Sequence, residues 1–538
     1  MAARQQIILP RPHRQSAFTL IELLISVAIA LVLVLGVNQV FKIASQTVGT
    51  GQAFSAVTRD ERVAHFSVYT DVHNALTVAQ PALMISSQSV VAFNTQQDAS
   101  NEPSGVPGTI TINGVAQPVS YALASSRNFR IDTLGFFASG DLYQRQTAND
   151  QTFVSPTTSS SAYIWYGHLA LPSNSQAQSA GTYSTPVTPV LPPSAPPPST
   201  QWFGPGWPDS STTLRNDNNR YAADWILGRV AMLFVPTPPT GDNYLQYNVN
   251  ANPLASNNTS TTDGIAIFTS RYDEVGCSVT QFNSAAAAYL TTNPLPATPP
   301  MPSGFRTPMF FRYCANPFPI KPLTAANMAA AAPIFLRHCS QFIVEYAGDY
   351  LTQDNNPYLA NGSTPNPNYG NVGSVTNSSD AIVTVNGAQG DGVVDFVADK
   401  TASLTNPALW TRRIRWYGFP RDTNNDGAID LQHDVVPLRD VLQAAIPNGA
   451  GQPSTTNAPW EVVNFLVPSN NNYATTGNVV PTSQYLCSWG AETQWPVSGN
   501  YGTGLPRMLR ITLALDDPAG RLASPQIYEY VIDLGSQQ

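Results

Sequence analysis

Residues 14–41 read RQSAFTLIELLISVAIALVLVLGVNQVF. From Phe18 to Val37 only Thr19, Glu22 and Ser26 interrupt 20 otherwise apolar or small residues. At about 1.5 Å per residue a helix of that length crosses the ~30 Å hydrocarbon layer of a bilayer. The stretch predicts a transmembrane helix over residues 18–41. Arg4, Arg11 and Arg14 precede it with no acid among them, which holds the N-terminus in the cytoplasm and sends the rest of the chain across the membrane.

Glu22 decides what kind of span this is. A carboxylate at membrane depth costs about a few kcal/mol or more, so it calls for a named partner. A cut between Ala17 and Phe18 would supply one, because the new amine would stand one helical turn before Glu22. A secretory signal peptide has a shorter apolar core ending in a small-residue site, whereas Ala28 and Ala30 lie mid-span here. A plain signal anchor leaves Glu22 unexplained.

The residues AFTLIE, from Ala17 to Glu22, behind a basic leader, resemble the prepilin processing motif of type IV pilins and type II secretion pseudopilins. The resemblance implies that a prepilin peptidase removes leader 1–17 by cutting between Ala17 and Phe18. It also implies that the Phe18 amine is methylated and that Glu22 serves filament assembly beside other pilin or pseudopilin subunits. The family usually has Gly before the cut; this chain has Ala17.

With 538 residues the chain is long enough for a large head or two subdomains beyond the anchor. Without the leader, 23 basic residues face 34 acidic ones, a net charge of −11. Arg412, Arg413 and Arg415 form the only basic cluster outside the leader, so nucleic acid is not the expected partner.

After the span, Gly49 and Gly51 predict a bend or a melted turn, at about 1 kcal/mol per Gly. Periodicity then resumes, with Ala64, Val68, Val72, Ala75, Leu76 and Ala79 on one face and Arg59, Asp60, Glu61 and Arg62 on the wetter side. The second half of the 42–80 extension, from Phe54 to before Pro81, should therefore lie on a sheet. The head, 81–538, reads as strands at 109–112, 163–168, 226–235, 342–346, 414–417, 509–515 and 528–534. The last two flank Asp517, Pro518, Ala519 and Gly520, and form a terminal hairpin with Leu509, Ile511, Leu513, Leu515, Tyr528, Tyr530, Ile532 and Leu534 on its inner face.

The fold class expected is α+β: a long membrane-spanning helix packed on a mostly antiparallel, pilin-like head with large loop insertions. The arrangement is similar to large minor pilins of the PilW type and to J-type minor pseudopilins. Pro-rich stretches at 186–200 and 293–304, the Asn-rich stretch 355–379 and the polar run 447–459 read as long loops.

Candidate chemistry in the head is sparse. Asp422, Asn424, Asp426, the Ala428 carbonyl and Asp430 occupy alternating ligand positions of an EF-hand-like loop with Gly427 at its turn, which suits calcium. Position twelve is His433 rather than Glu, and an Asx-rich turn is the competing reading. The echo at Asp391 and Asp395 reads as a turn. Cys277, Cys314, Cys339 and Cys487 allow three pairings in an oxidising compartment, with Cys314–Cys339 preferred as the nearest in sequence. His338 beside Cys339 reads as core packing rather than a catalytic pair. No hydrolase, zinc-protease or nucleotide-loop signature occurs, and no cofactor is required. Trp202, Phe203 and Trp207 are candidate surface aromatics.

The sequence thus describes a non-enzymatic, single-pass inner-membrane minor pilin or pseudopilin whose size favours a tip or priming position. The alternative is an adhesin or binding module displayed on a pilin-like anchor.

Overall fold

The computed structural model describes residues 19–75, 83–94, 109–112, 115–118, 126–144, 158–169, 222–234, 245–246, 266–267, 274–275, 278–280, 334–385, 387–420, 435–438, 441–442, 460–465, 483–489, 495–497, 500–502, 504–517, 519–522 and 524–534. It divides into two compact units, Met1–Ala56 and Val57–Gln538.

A single helix, α1, runs from Leu20 to His73. The bend expected at Gly49 and Gly51 does not appear, and both residues are helical. The loss of about 1 kcal/mol at each Gly is outweighed by the hydrogen-bonded turns on either side. From Val57 onward Val57, Ala64, Val68 and Val72 are buried in the main core, at the helical spacing the sequence predicts.

Among the described residues fifteen strands join in one mostly antiparallel sheet, so the fold is α+β. Its central strand, Cys339–Ala347, pairs antiparallel with Met508–Leu515, setting Phe342 opposite Leu513 and Tyr346 opposite Leu509. The latter pairs with the last strand, Gln526–Asp533, with Ile511 opposite Tyr530. The central strand also meets Ser126–Gln144 in parallel at Ile131. From there antiparallel pairing continues through Thr158–Leu169 to Ile226–Phe234. Ser126–Gln144 pairs in addition with Leu83–Phe93, which carries Ser483–Trp489 and then Trp460–Phe465.

The terminal hairpin is the one the alternation predicts. Leu509, Ile511, Leu513 and Leu515 are buried, as is Ile532, while Ile527 and Val531 point outward. Such a period-two pattern ties register to burial, because a one-residue slip would expose the whole inner face.

The core is unusually aromatic. Tyr346 lies edge-on to Trp489 at 4.7 Å between ring centres and tilted to Tyr417 at 5.7 Å, and its hydroxyl accepts from Tyr485 at 3.2 Å. Buried tyrosines need such partners, since an unpaired hydroxyl in the core would cost on the order of 1–3 kcal/mol.

Residues 348–415, between the central strand and Trp416–Tyr417, form an excursion from the sheet. The Asn-rich stretch inside it, expected as a loose loop, is instead built by side chains that cap backbone turns. Asn361 Oδ1 accepts from the amides of Ser363 and Thr364, and Asn377 Oδ1 from those of Ser379 and Ala381. Asn366 is fully buried and donates to Asp354 at 3.0 Å. Asparagine competes with regular secondary structure by making these local bonds, which is why a compact segment looks loop-like in sequence.

Candidate functional site: the N-terminal helix and its seat on the sheet

α1 opens with Thr19 preceding the first helical residue. The Thr19 amide and hydroxyl both donate to Glu22 Oε2, at 2.9 and 2.8 Å, and the Glu22 amide donates back to Thr19 Oγ1 at 3.3 Å. This is a capping box, in which two orphan donors of a helix start are satisfied reciprocally. Thr19 was not singled out in the sequence, although T-x-x-E ahead of an apolar run is its signature. Ala17 and Phe18 lie outside the described residues.

Along the rest of the span the apolar side chains face outward: Leu20, Leu24, Leu31 and Leu35 are all more than half exposed. Within Met1–Ala56 an 18-residue stretch of α1 is apolar enough to cross a membrane, and none of it is buried. Exposed leucines on a helix of this length mark a surface meant for lipid or for other apolar helices.

The last part of α1 belongs to the second unit and is fixed to the sheet by polar contacts at both ends. Asp71, buried, accepts a two-pronged ion pair from Arg229 of the strand Ile226–Phe234, at 2.6 and 2.8 Å. Tyr166 of the neighbouring strand donates its hydroxyl to the same carboxylate at 2.5 Å. Burial, more than the adjacent acid, raises the Tyr166 phenol well above its ordinary range, so it stays a donor. At the other end Tyr530 donates to Glu61 Oε1 at 2.5 Å and stacks on His65 with ring centres 4.3 Å apart. Burial also raises the Tyr530 phenol, with Glu61 adding to it.

Glu61 therefore corrects the expectation of a wet face over Arg59–Arg62. Arg59 and Asp60 are exposed and pair with each other at 3.1 Å, but Glu61 is only 9% exposed and turned under the sheet. Its neighbours in sequence are charged, and its partner is the last strand of the chain.

The head's candidate sites fall differently. Asp422, Asn424, Asp426, Ala428, Asp430 and His433 all lie outside the described residues, as do Trp202, Phe203 and Trp207. The flanks of the 421–434 stretch are held close together. Trp416–Tyr417 pairs in parallel with Val435–Val436, and the Gly418 amide donates to the Val436 carbonyl at 3.1 Å. Arg130 donates to the Phe419 carbonyl, lies over the Phe419 ring at 4.9 Å and is itself paired with buried Asp132 at 2.6 Å.

Asp395, read as part of a turn, is instead a buried anchor. Its carboxylate accepts from the Tyr350 and Leu351 amides at 3.1 and 3.0 Å and from the Tyr417 hydroxyl at 2.5 Å. Burial raises it to about 8 against the pull of these donors. Asp349 alongside caps the amides of Asp391 and Gly392. Among the described residues no group of three or more His, Cys, Asp or Glu side chains is arranged to hold a metal ion.

Cys339 is a buried thiol that donates to the Gln341 carbonyl at 3.2 Å; Cys314, its expected partner, lies outside the described residues. Its place in the central strand, among the sheet's core residues, leaves the sulfur facing protein. Burial raises the thiol far above its ordinary range, with Asp516 adding to it, so it is no nucleophile. His338 takes a left-handed backbone (φ 59°), and its Nδ1 faces the Ala223 carbonyl at 3.0 Å rather than the thiol. His168 is fully buried against the Cys339 carbonyl at 2.8 Å and is held down to about 4 by burial, hence neutral.

Residues 12–38 match the family described as Prokaryotic N-terminal methylation motif. The chain begins with a prepilin-type methylation motif. The match covers the basic end of the leader, the Thr19–Glu22 box and most of the span, and with the outward-facing apolar helix it supports a type IV pilin-like protein. The prepilin motif implies processing by a prepilin peptidase and anchoring in a membrane. No curated protein and no solved structure matches the chain significantly.

Proposed function

We propose that this chain is a minor pilin or pseudopilin, cut between Ala17 and Phe18, methylated at Phe18 and placed at the tip or in the priming complex of a pilus or secretion filament. The observation that carries the reading is a single acid, Glu22, near the head of a predominantly apolar, exposed stretch, residues 20–37, in a helix that continues to the sheet domain. A new Phe18 amine on a neighbouring subunit is the cation that Glu22 would meet at that depth. The size of the head favours an end position, because repeating it along a filament would crowd its neighbours.

Glu22→Ala tests assembly. The account expects the variant to enter the membrane at normal levels and to stop co-purifying with other pilin-like subunits. Because Glu22 also caps α1, Thr19→Val is the control: it removes the cap and keeps the acid, and should co-purify. Normal co-assembly of Glu22→Ala would end the pairing proposal.

We further propose that the 422–430 loop takes calcium, on the strength of its ligand spacing and of flanks held side by side. Calcium protection of that segment from proteolysis, lost in Asp426→Ala, would support it; equal cleavage with calcium and with chelator would refute it.

A further inference from the structure

The last strand, Gln526–Asp533, ends one limb of the sheet. Among the described strands only Met508–Leu515 pairs with it, and no strand pairs with its other side. The ladder between the two is regular, with no register shift from Met508 opposite Asp533 to Leu515 opposite Gln526.

The phase of that ladder decides which backbone groups stay open. In an antiparallel pair, opposed residues alternately exchange both of their N–H···O=C bonds or neither. Just past the strand the Leu534 amide donates to the Arg507 carbonyl at 2.8 Å, so the bonded pairs are those of Ile532, Tyr530 and Tyr528. The N–H and C=O groups of Ile527, Glu529 and Val531 therefore point away from the sheet. The same residues carry its outer face: Ile527 is 69% and Val531 52% exposed, with Glu529 between them. Tyr528 and Tyr530 turn the other way, to Thr58, Glu61 and His65 of α1.

An open row of backbone groups is a template for another strand, and edges are ordinarily blunted by a bulge, a proline, lysines or an inward-pointing charge. Gln526–Asp533 contains none of these. Its charges, Glu529 and Asp533, are both acidic and both on the outer face. Arg510 comes no nearer to Glu529 than 4.0 Å, held as it is by buried Glu345 at 2.5 Å and laid over the Trp416 ring.

These acids select the occupant. If two copies of the strand paired antiparallel, centred on Glu529, on Val531 or midway between, Glu529 would oppose itself, Asp533 or Val531 respectively. Like charges directly opposed destabilise a sheet, and a carboxylate against valine gains no partner, whereas a cation opposite Glu529 is stabilising. A second copy of this chain is thus disfavoured, and a strand that brings cations is favoured.

We propose that the open edge of Gln526–Asp533 takes up a β-strand from another protein, one whose outer face alternates basic and apolar residues. The incoming backbone closes the donors and acceptors of Ile527, Glu529 and Val531, its cations lie across from the acids, and its apolar side chains cover Ile527 and Val531. The proposal stands apart from the filament role and does not depend on processing at Phe18.

The test uses the full chain in neutral detergent micelles and two synthetic peptides capped at both ends, TKTVTKTVT and its acidic counterpart TETVTETVT. In the free protein the amides of Ile527, Glu529 and Val531 should exchange with solvent quickly and those of Tyr528, Tyr530 and Ile532 slowly. Saturation with the basic peptide should slow the first set. The acidic peptide should bind about tenfold more weakly or worse, since two favourable cross-strand pairs become two repulsive ones. Glu529→Lys, at an exposed position, should erase that preference in a protein that melts like the parent. A basic peptide N-methylated at alternate residues keeps its side chains and loses its donors, and should not bind. No added protection of Ile527, Glu529 and Val531 at saturation, equal binding of the two peptides to the parent chain, or undiminished binding of the N-methylated peptide would overturn the proposal.

Discussion

The hydroxyl of Tyr530 lies 2.5 Å from Glu61 Oε1, joining the last strand of the chain to its first helix across 469 residues of sequence. The contact fixes where α1 lies on the sheet, and the stacking of Tyr530 on His65 one turn later fixes its rotation. Tyr530→Phe keeps the ring and removes the donor, leaving a buried carboxylate short of its partner. The expected loss is about 1–3 kcal/mol in chemical denaturation. Glu61→Gln, which can still accept from the phenol, should lose less. Equal and negligible losses would show that the pair does not hold the helix.

At the far end of the seat, Asp71 is held by Arg229 and Tyr166 together. Asp71→Ala strands a largely buried guanidinium and should cost about 3–5 kcal/mol, whereas the paired change Asp71→Leu with Arg229→Met should recover much of that loss. A double-mutant cycle with no coupling between positions 71 and 229 would contradict the assignment.

Asp395 gives the head a pH dependence of definite sign. Its folded value of about 8 lies above the ordinary 3.8, so the folded state binds the proton more tightly than the unfolded chain does. Its contribution is complete below about pH 4 and is lost as pH rises through about 8, by about 1.4 kcal/mol per pH unit at most. Asp395→Asn should flatten that part of the stability profile. A wild-type profile already flat between pH 4 and 8, or one unchanged in the variant, would contradict this.

Much of this architecture is legible in the sequence, for reasons that also mark where reading stops. The span and its acid stand out because 20 residues of one composition make a local signal, and the terminal hairpin stands out because alternation and turn residues are local too. The faces of Val68 and Val72 follow from helical spacing. Glu61 does not, because its neighbours are charged and its partner is 469 residues away. The Asn-rich stretch 355–379 reads as loop for a related reason: Asn361, Asn366 and Asn377 order it through side-chain bonds that no periodicity announces. Asp395 likewise owes its importance to burial against Tyr417, which a D-G-x-x-D string does not convey. The Thr19–Glu22 box is legible as T-x-x-E ahead of an apolar run, a local signal that makes Glu22 the third residue of a capped helix as well as an acid in an apolar stretch.

The central claim concerns the first residue of the mature chain. The decisive measurement is the intact mass and N-terminal sequence of membrane-extracted protein, made with and without an active prepilin peptidase. The account predicts a peptidase-dependent chain beginning at N-methyl-Phe18. A retained Met1, or a cut near Ala30 that ignores the peptidase, would contradict it and leave Glu22 as the cap of an anchor helix and nothing more.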